Sequence, residues 1–552
     1  MTTVTNPVIR GFNPDPCITR GHDGAWYIAV STFEWYPGVL IYRSSDFINW
    51  TVVSAPLDNL NLLNLYGAQP SGGVWAPALT YQKGIYYLLY TDMKTWKTER
   101  TGGFMPLRDM HNFMVTANDI NGPWSDPIFL LSGGYDPSFF CDDDGKKYVL
   151  YSRRDFRAIK KDLFEGVVLK EYDDQAKKLV GKEYIIYEGA GIEVKNFYVK
   201  TQIYEGAHIL KKDGWYYLIV AEGGVTVSHC CVIARSKSVF GPYEHHPITP
   251  MMSSENSTGH MQKTGHGNIV QGPGGDWFMT YLCTRPVENF TLSPLGRESA
   301  ITPIEWREDG WPYLPGDSIV PPKTFTVKSV GEQIQQQQVH LNFASIEKLP
   351  PELQALRRPI TTDWAQLTNG KLVLKGQENA YSRFRQSLLG LRIRHFEHTF
   401  ETCVNIETDT YHTGAGLMMR YDEETWYSLL VTALDDNTRG LCFMEGVQGQ
   451  FKYSYDVGKI PATGDVYLKC ETLKGVMTFY YSTDGETWHP TGIERDFYTL
   501  SDEKAHPTGF TGSFGCIHAF DLLGDHTPAA FSYFNYTEEG TPCRLSNKLP
   551  IK

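Results

Sequence analysis

The sequence contains no long apolar run. No stretch reaches the roughly 18–20 consecutive apolar residues that a helix needs to cross a bilayer, and the mean hydropathy is −0.33. The first residues, MTTVTNPVIR, also lack the charged and then apolar pattern of a secretory signal peptide. We therefore expect no membrane partner and a cytoplasmic location.

Several common site patterns are missing as well. The ten cysteines are scattered from Cys17 to Cys543, and their spacing fits neither a zinc site nor a disulfide framework. No Gly-x-Ser-x-Gly turn and no phosphate-binding loop occur. These absences argue against a serine hydrolase and a P-loop nucleotide enzyme, and they predict reduced thiols.

Positive charge is also scarce. The chain has 51 Lys and Arg against 63 Asp and Glu, a net charge of −12. An acidic surface repels phosphate backbones and anionic lipid, so a nucleic acid partner is not expected. Aromatic residues make up 13% of the chain, with 33 Tyr and 13 Trp. That content suits stacking on sugar rings, and it suits a β-rich core equally well.

A repeated phrase is the main positive feature of the sequence. A turn glycine is followed by an aromatic and aliphatic strand-like stretch, which is a strong hairpin signal. The copies are DGAWYIAVST from Asp23, KGIYYLLYTD from Lys83, DGKKYVLYS from Asp144, DGWYYLIVAE from Asp213 and GGDWFMTYL from Gly274. The successive turn glycines, Gly24, Gly84, Gly145, Gly214 and Gly275, lie 60, 61, 69 and 61 residues apart.

The repeat predicts the fold. A unit of about 60 residues with several short strands is typical of a propeller blade with long connections. A chain of 552 residues is longer than one hydrophobic core normally organises, so we expect at least two domains. We predict an all-β protein with a five-bladed β-propeller over residues 1–322, a glutamine-rich linker over 323–337 and a C-terminal β-sandwich over 338–552.

One position of each repeat holds a residue whose side chain could take part in catalysis or binding. Nine residues before the turn glycines lie Asp15, Trp75, Asp136, Glu205 and His266. The first strand of a propeller blade is the innermost, so equivalent positions near its start should converge on the central axis. Glycosidic bonds are cleaved between two carboxyl groups, and a third can raise the pKa of the acid. The three acidic residues therefore predict a glycosidase site.

Four of these five residues could instead have a purely structural role. Asp15, in Asn-Pro-Asp-Pro, and Asp136, in Tyr-Asp-Pro-Ser, could shape turns. Trp75 could pack in the core, and His266 could be a buried, hydrogen-bonded imidazole. Glu205 stands at the start of an apolar stretch and has no such turn role open to it.

Longer phrases carry a resemblance to a known family. They are NPDP from Asn13, VSTFEWYPGV from Val30, SGGVWAP from Ser71, DPSFF from Asp136, EGAHI from Glu205, GRESAI from Gly296 and FTGSF from Phe510. In this order they resemble glycoside hydrolase family 43, in particular its two-domain β-xylosidases, over essentially the whole chain. The resemblance implies inversion at the anomeric carbon, with Asp15 as general base, Glu205 as general acid and Asp136 as the residue that raises the pKa of the acid.

The resemblance also implies a binding pocket. It places Phe33 and Trp75 as walls of the terminal-sugar subsite, Arg285 as a ligand of sugar hydroxyls and Phe510 on a sandwich loop that closes the active site. It implies that His266 lies near a cation, often calcium, although the chemistry requires no cofactor. It further implies a homodimer or homotetramer.

The predicted function is exo-acting release of xylose from the non-reducing ends of β-1,4-xylo-oligosaccharides. Three segments depart from the family pattern: Val225 follows Glu-Gly-Gly where relatives have Thr, the 189–200 loop is longer, and 253–265 differs. All three could lie near the pocket, so the preference for the leaving sugar is open. The near alternative is an α-L-arabinofuranosidase or a dual enzyme, because the two sugars present similar hydroxyls and the family that the chain resembles often cleaves both. A non-catalytic sugar-binding propeller is the remote alternative.

Overall fold

A computed structural model describes residues 1–97, 107–157, 164–192, 202–287, 291–505 and 509–539. The chain divides into two compact units. The first comprises Met1–Leu63, Ser71–Arg285 and Arg297–Ile334, and the second comprises Asn64–Pro70, Pro286–Gly296 and Gln335–Lys552.

The regular structure of the described residues is β-strand, with three short 3-10 helices at Pro273–Gly275, Pro315–Asp317 and Phe497–Thr499. In this part of the chain no helix has the length and apolar character to span a membrane.

The strands of the first unit are short and follow one another closely along the chain. In chain order they are β1 Thr2–Thr5, β2 Cys17–Arg20, β3 Trp26–Ser31, β4 Trp35–Tyr36, β5 Val39–Ser44, β6 Thr51–Ser54, β7 Gly73–Gln82, β8 Ile85–Met93, β9 Met110–Ala117, β10 Ile128–Leu131, β11 Gly134–Cys141, β12 Lys147–Arg154, β13 Phe164–Asp173, β14 Lys178–Tyr187, β15 Tyr204–Lys212, β16 Trp215–Glu222, β17 Cys230–Ser236, β18 Glu244–His245, β19 Met252–Ser253, β20 Gln262–Gln271, β21 Trp277–Thr284, β22 Glu298–Trp306, β23 Pro312–Tyr313 and β24 Thr324–Val327.

All of these strands except β1, β4 and β24 form five antiparallel blades, which confirms the predicted propeller. The blade orders are β2-β3-β5-β6, β7-β8-β9-β10, β11-β12-β13-β14, β15-β16-β17-β18 with β19 beside β17, and β20-β21-β22-β23. Each turn glycine of the repeat has a positive φ, from 71° at Gly214 to 88° at Gly84. Glycine adopts this backbone conformation without a steric penalty, so the glycine positions mark the hairpins.

The first strands of the blades form a closed ring. β2 contacts β7, β7 contacts β11, β11 contacts β15, β15 contacts β20, and β20 contacts β2. Apolar side chains fill the spaces between neighbouring blades, as where Tyr217 and Ile219 of β16 pack with Met279 and Tyr281 of β21. The start of each first strand therefore lies at the central axis.

The ends of the first unit are joined by strand pairing. β1 pairs with β24 from Thr2 opposite Val327 to Thr5 opposite Thr324. Val4 and Phe325 are buried in one cluster with residues of the first and fifth blades. The predicted linker 323–337 therefore differs from the structure, because Thr324–Val327 within it form a strand that pairs with β1, and the first unit continues to Ile334.

The predicted domain boundaries differ from the structure in a second respect. Residues 64–70 and 286–296 lie within the predicted propeller range but group with the second unit. Within that unit Arg357 donates through Nε to the carbonyl of Ala68 at 2.7 Å, and Ser513 donates through Oγ to the carbonyl of Pro294 at 2.7 Å. These long-range contacts hold both segments in the second unit, and no local pattern in the sequence predicts the contacts.

The second unit is also built from antiparallel strands. In chain order they are β25 Gln338–Asn342, β26 Gln354–Leu356, β27 Ala365–Thr368, β28 Lys371–Lys375, β29 Ser387–Arg392, β30 His398–Ile406, β31 Thr413–Arg420, β32 Trp426–Ala433, β33 Arg439–Val447, β34 Gln450–Gly458, β35 Val466–Leu473, β36 Val476–Ser482, β37 His489–Asp496, β38 Phe514–Asp521 and β39 Pro528–Glu538.

Two sheets pack face to face in this unit, as the predicted β-sandwich requires. One has the order β27-β28-β39-β30-β35-β36-β37, with β25 beside β39, and the other contains β34-β33-β32-β31-β38-β29-β26. Phe443 of the second sheet and Phe479 of the first have ring centroids 4.9 Å apart. Such contacts between inner faces are how a sandwich buries its core.

No disulfide joins the cysteines of the described residues. All nine within the described residues are free thiols, and all of these except Cys141 are buried. Burial raises the pKa of Cys17 and of Cys231 to about 12. This agrees with the prediction from their irregular spacing.

Candidate active site

A backbone irregularity recurs near the start of the inner strands. The pairing shifts register between Trp75 and Ala78, Tyr135 and Ser138, Glu205 and His208, and Gly265 and Asn268. Asp15 lies in the corresponding place, just before β2. Asp15, Asp136 and His266 have φ values of 57°, 51° and 57°. Such left-handed residues are uncommon outside glycine, and a bulge can redirect a side chain.

Asp15 is buried and held by several neighbours. Its Oδ1 accepts a hydrogen bond from Nη1 of Arg297 at 2.8 Å, and its Oδ2 accepts one from the Ser31 hydroxyl at 3.0 Å. Nδ1 of His266 lies 3.9 Å from the same Oδ1. Contacts from two sides fix the orientation of the carboxylate.

Asp136 is positioned through its backbone. Its N–H donates to Oγ1 of Thr91 at 3.0 Å, and the Thr91 hydroxyl donates to Oδ1 of Asn112 at 2.8 Å. The Asn112 amide in turn donates to the carbonyl of Gly134 at 2.6 Å. Because all of these residues are buried, this chain of hydrogen bonds holds the bulge of β11 in one conformation.

Glu205 and Asp136 share a negatively charged environment with little access to water. Burial raises the pKa of Asp136 well above its usual value, and the charges of Glu205 and Asp15 raise it further, while Arg297 opposes them. Burial also raises the pKa of Glu205, against a hydrogen bond from the Tyr135 hydroxyl to its Oε2 at 2.7 Å. Two neighbouring carboxyl groups in such surroundings do not readily ionise together, so the pair retains a proton that isolated carboxyl groups would lose.

Aromatic rings lie beside the carboxyl groups. The ring centroid of Trp75 is 5.8 Å from that of Tyr135, 6.3 Å from that of Phe33 and 6.4 Å from that of Trp96. Phe33 is buried, and the Arg297 guanidinium lies 5.2 Å from its ring centroid. Trp75 is only partly buried, so part of its indole is available to a sugar ring.

Arg285 is engaged with a carboxylate of its own. Its Nε and Nη2 donate to the two carboxylate oxygens of Glu298 at 2.6 and 2.7 Å, and both side chains are buried. Glu298 also accepts the backbone N–H of Gly11 at 2.6 Å. The predicted contact of Arg285 with sugar hydroxyls stays a prediction, since this bidentate pair gives the guanidinium a structural partner.

Arg297 is a site residue that the repeat pattern does not select. It pairs with Asp15, and its charge acts on both Asp136 and Glu205. The segment that carries it docks on the Asp15 segment, where the N–H of Asn13 donates to the Arg297 carbonyl at 2.9 Å. The GRESAI phrase, which contains Arg297, could have identified this residue. A buried arginine needs a carboxylate partner, and the predicted axial residues include three carboxylates.

Phe510 belongs to the second unit, where its side chain is buried. Its part in the active site stays a prediction.

His266, the predicted neighbour of a cation, is buried. Within the described ranges, no three His, Cys, Asp or Glu side chains are grouped as a metal ion would require. A Cβ placed on Gly206 would lie 2.5 Å from Nε2 of His266, so the ring packs directly on that glycine. Calcium takes about six to eight oxygen ligands, which include backbone carbonyls and waters as well as carboxylates. The predicted cation beside His266 stays a prediction, and burial lowers the pKa of the imidazole to about 3.

Comparisons with known proteins agree with this architecture. The family model described as "Glycosyl hydrolases family 43" matches residues 4–312, and "Beta xylosidase C-terminal Concanavalin A-like domain" matches residues 340–537. A β-xylosidase of Bacillus subtilis strain 168 is 36% identical over 566 residues, covering 97% of this chain and 100% of that protein. A xylosidase/arabinosidase 43B of Humicola insolens is 37% identical over 547 residues, covering 97% and 98%.

A solved structure is similar as well. The crystal structure of a xylan β-1,4-xylosidase from Bacillus halodurans C-125 superposes with a TM-score of 0.89 at 37% identity, covering 97% of this chain and 100% of that one. Because matches of this length and identity extend through both units, the chain belongs to family 43 of the glycosyl hydrolases.

Proposed function

We propose that the protein is an exo-acting, inverting β-xylosidase that releases xylose from the non-reducing ends of β-1,4-xylo-oligosaccharides. The observation that carries this proposal is a group of three carboxyl side chains whose charges act on one another: Asp15 and Asp136, which are buried, and Glu205, which is partly buried. A sugar-binding propeller without catalytic activity would have no need for this arrangement, because burying charge is costly.

In the proposed reaction, Glu205 is the general acid and Asp15 the general base. The Glu205 carboxyl gives its proton to the glycosidic oxygen as the bond from that oxygen to the anomeric carbon breaks. Asp15 takes a proton from the water that attacks the opposite face of the sugar. The new C–O bond forms on that face, so the configuration inverts and xylose leaves together with the shortened chain.

Asp136 has a tuning role in this mechanism. A general acid must hold its proton at the working pH, and an isolated glutamate does not. Burial raises the pKa of Glu205, and a negative charge on Asp136 would favour its protonated form further. The N–H of Gly206, which is hydrogen-bonded to the Asp136 carboxyl, favours the ionised state of Asp136.

Two relatives favour xylose as the preferred sugar. The Bacillus subtilis protein and the Bacillus halodurans structure are both named as β-xylosidases. The partly buried Trp75, with the Phe33 ring beside it, offers an apolar face on which a terminal sugar ring can stack. Activity on α-L-arabinofuranosides is the second candidate, because the Humicola insolens relative is named for both sugars.

Side-by-side assays test the proposal. We expect the purified protein to hydrolyse 4-nitrophenyl β-D-xyloside and xylobiose faster than 4-nitrophenyl α-L-arabinofuranoside. NMR of the first product of the xyloside should show α-xylose before mutarotation, because water attacks the face opposite the leaving group. Greater activity on the arabinoside would assign the second candidate, and β-xylose as the first product would make Asp15 a nucleophile.

A further inference from the structure

Tyr135 and Asp136 are neighbours in sequence and both act on Glu205. In a regular strand, successive side chains point to opposite faces. The register shift of β11 between Tyr135 and Ser138, with a φ of 51° at Asp136, breaks this alternation. As a result the Tyr135 hydroxyl donates to Oε2 of Glu205 at 2.7 Å while the charge of Glu205 also acts on Asp136.

The Tyr135 phenol is fixed as a donor. The side chain is only 3% exposed, and its ring meets Trp75 edge-on at 84°. Burial, together with the charges of Glu205 and Asp136, raises the pKa of Tyr135 well above its usual value. The hydroxyl therefore keeps its proton and offers it to Oε2 of Glu205 throughout the reaction.

A donor on one oxygen has a consequence for the other. A protonated carboxyl group carries its proton on either of its two oxygens, and only one of them can face the leaving group. With Oε2 occupied as an acceptor, the proton that can be transferred is held on Oε1. We propose that Tyr135 is a positioning residue that assigns the transferable proton of Glu205 to Oε1 and orients that oxygen toward the glycosidic bond. This inference rests on the proposed function.

The hydrogen bond also changes during the reaction. When Oε1 gives its proton to the departing oxygen, the Glu205 carboxyl becomes a carboxylate, and the bond from Tyr135 to Oε2 becomes charge-assisted and stronger. An interaction that strengthens as the reaction proceeds lowers the barrier rather than merely tightening substrate binding. After the products leave, Asp15 releases to solvent the proton that it took from water, Oε1 of Glu205 regains one from solvent, and the cycle is complete.

The variant Tyr135→Phe tests the inference, because it removes the hydroxyl and keeps the ring. We expect kcat on xylobiose to fall about tenfold, which is less than the roughly 10²–10⁴-fold of general acid catalysis because the acid itself remains. We expect kcat on an aryl xyloside with an acidic phenol to change less than about twofold, since such a leaving group needs little protonation. KM should change little. The basic limb of the pH profile should move to higher pH, because a donor that favours the carboxylate is lost.

A matched control exists in the same propeller. The Tyr216 hydroxyl donates to Oδ2 of Asp142 at 2.7 Å, so the donor, the acceptor type and the length match the bond from Tyr135 to Glu205. Asp142 lies beside a hairpin turn and is not one of the three proposed catalytic carboxyl groups. Tyr216→Phe should leave both activities and the pH profile unchanged. The ratio of the xylobiose rate to the aryl xyloside rate is taken within one preparation, so a reduced folded fraction of Tyr135→Phe does not affect it.

The outcomes separate the two levels of inference. Equal losses of Tyr135→Phe on both substrates, or a basic limb that stays in place, would show that Tyr135 only packs against Trp75 and would overturn the inference. A wild-type protein that cleaves neither glycoside would instead contradict the proposed function itself.

Discussion

The roles of Glu205 and Asp15 predict different responses to the leaving group. Glu205→Ala removes the proton donor, so it should reduce kcat on xylobiose by about 10²–10⁴-fold. It should have far less effect on an aryl xyloside whose phenol leaves unaided. Asp15→Ala should greatly reduce kcat on both substrates, because the attacking water must be activated whichever leaving group is present. Steady-state kinetics on the two substrates check this, and greater leaving-group sensitivity in Asp15→Ala would exchange the two roles.

Asp136 should affect the pH profile. Asp136→Asn removes a negative charge near Glu205, so the Glu205 carboxyl ionises at lower pH and the pKa of the acid falls. Activity requires the protonated acid, so the basic limb should move to lower pH, by about one unit, with a loss of kcat between those of the two alanine variants. The exposed Asp144 provides a control, since Asp144→Asn removes the same charge from a hairpin turn. If the basic limb of the pH profile does not move in Asp136→Asn, Asp136 does not tune the pKa of Glu205.

At the scale of single residues, the sequence predicts those that the repeat places in register. Asp15, Asp136 and Glu205 are identified because one offset from a turn glycine applies to every blade. Arg297 is not, because it pairs with Asp15 across 282 residues of chain and belongs to no repeated phrase. Tyr135 also escapes prediction, because regular strand geometry would point it away from its neighbour and only the bulge brings it to Glu205.

The bulge of β15 requires glycine at position 206. Gly206 has a φ of 56°, and a Cβ there would lie 2.5 Å from the His266 ring. Gly206→Ala should therefore lower stability by more than the roughly 1–2 kcal/mol of a left-handed alanine, and it should displace Glu205 and reduce kcat/KM.

Gly84→Ala is the matched variant for this prediction. Its φ is 88°, but a Cβ there would meet nothing within 4 Å. Gly84→Ala should lower stability only by the cost of placing alanine in a left-handed backbone conformation, and it should keep full activity. Thermal melts and kcat/KM of the two variants, compared directly, separate strain from steric contact. Equal melting temperatures and equal activities would show that the contact with His266 is relieved at no cost.

The elements are predictable where their signal is local. The five hairpins follow from a turn glycine between two apolar stretches, and the structure has a hairpin at each. Strand β24 reads as linker because its partner, β1, lies at the other end of the unit and four residues have too little pattern to identify it. The sandwich sheets are predictable as a class, but their strand order depends on pairings between distant segments.

For the molecule as a whole, the proposed chemistry predicts activity without added metal. In the proposed mechanism carboxyl groups alone make both proton transfers. Exhaustive dialysis against EDTA should therefore leave kcat/KM and the melting temperature within about twofold and a few degrees of their original values. Restoration of a lost activity by calcium, and not by magnesium, would establish the cation that the resemblance implies.

The pairing of β1 with β24 has a consequence for how the protein is made. Thr2 finds its partner only at Val327, so β1 leaves the ribosome with no place to pair until nearly the entire propeller has been synthesised. Blades complete themselves from consecutive segments, whereas the seam between the first and fifth blades closes last, at the entropic cost of a very long loop. In arrested nascent chains, protection of β1 from protease should therefore arise abruptly once β24 has emerged.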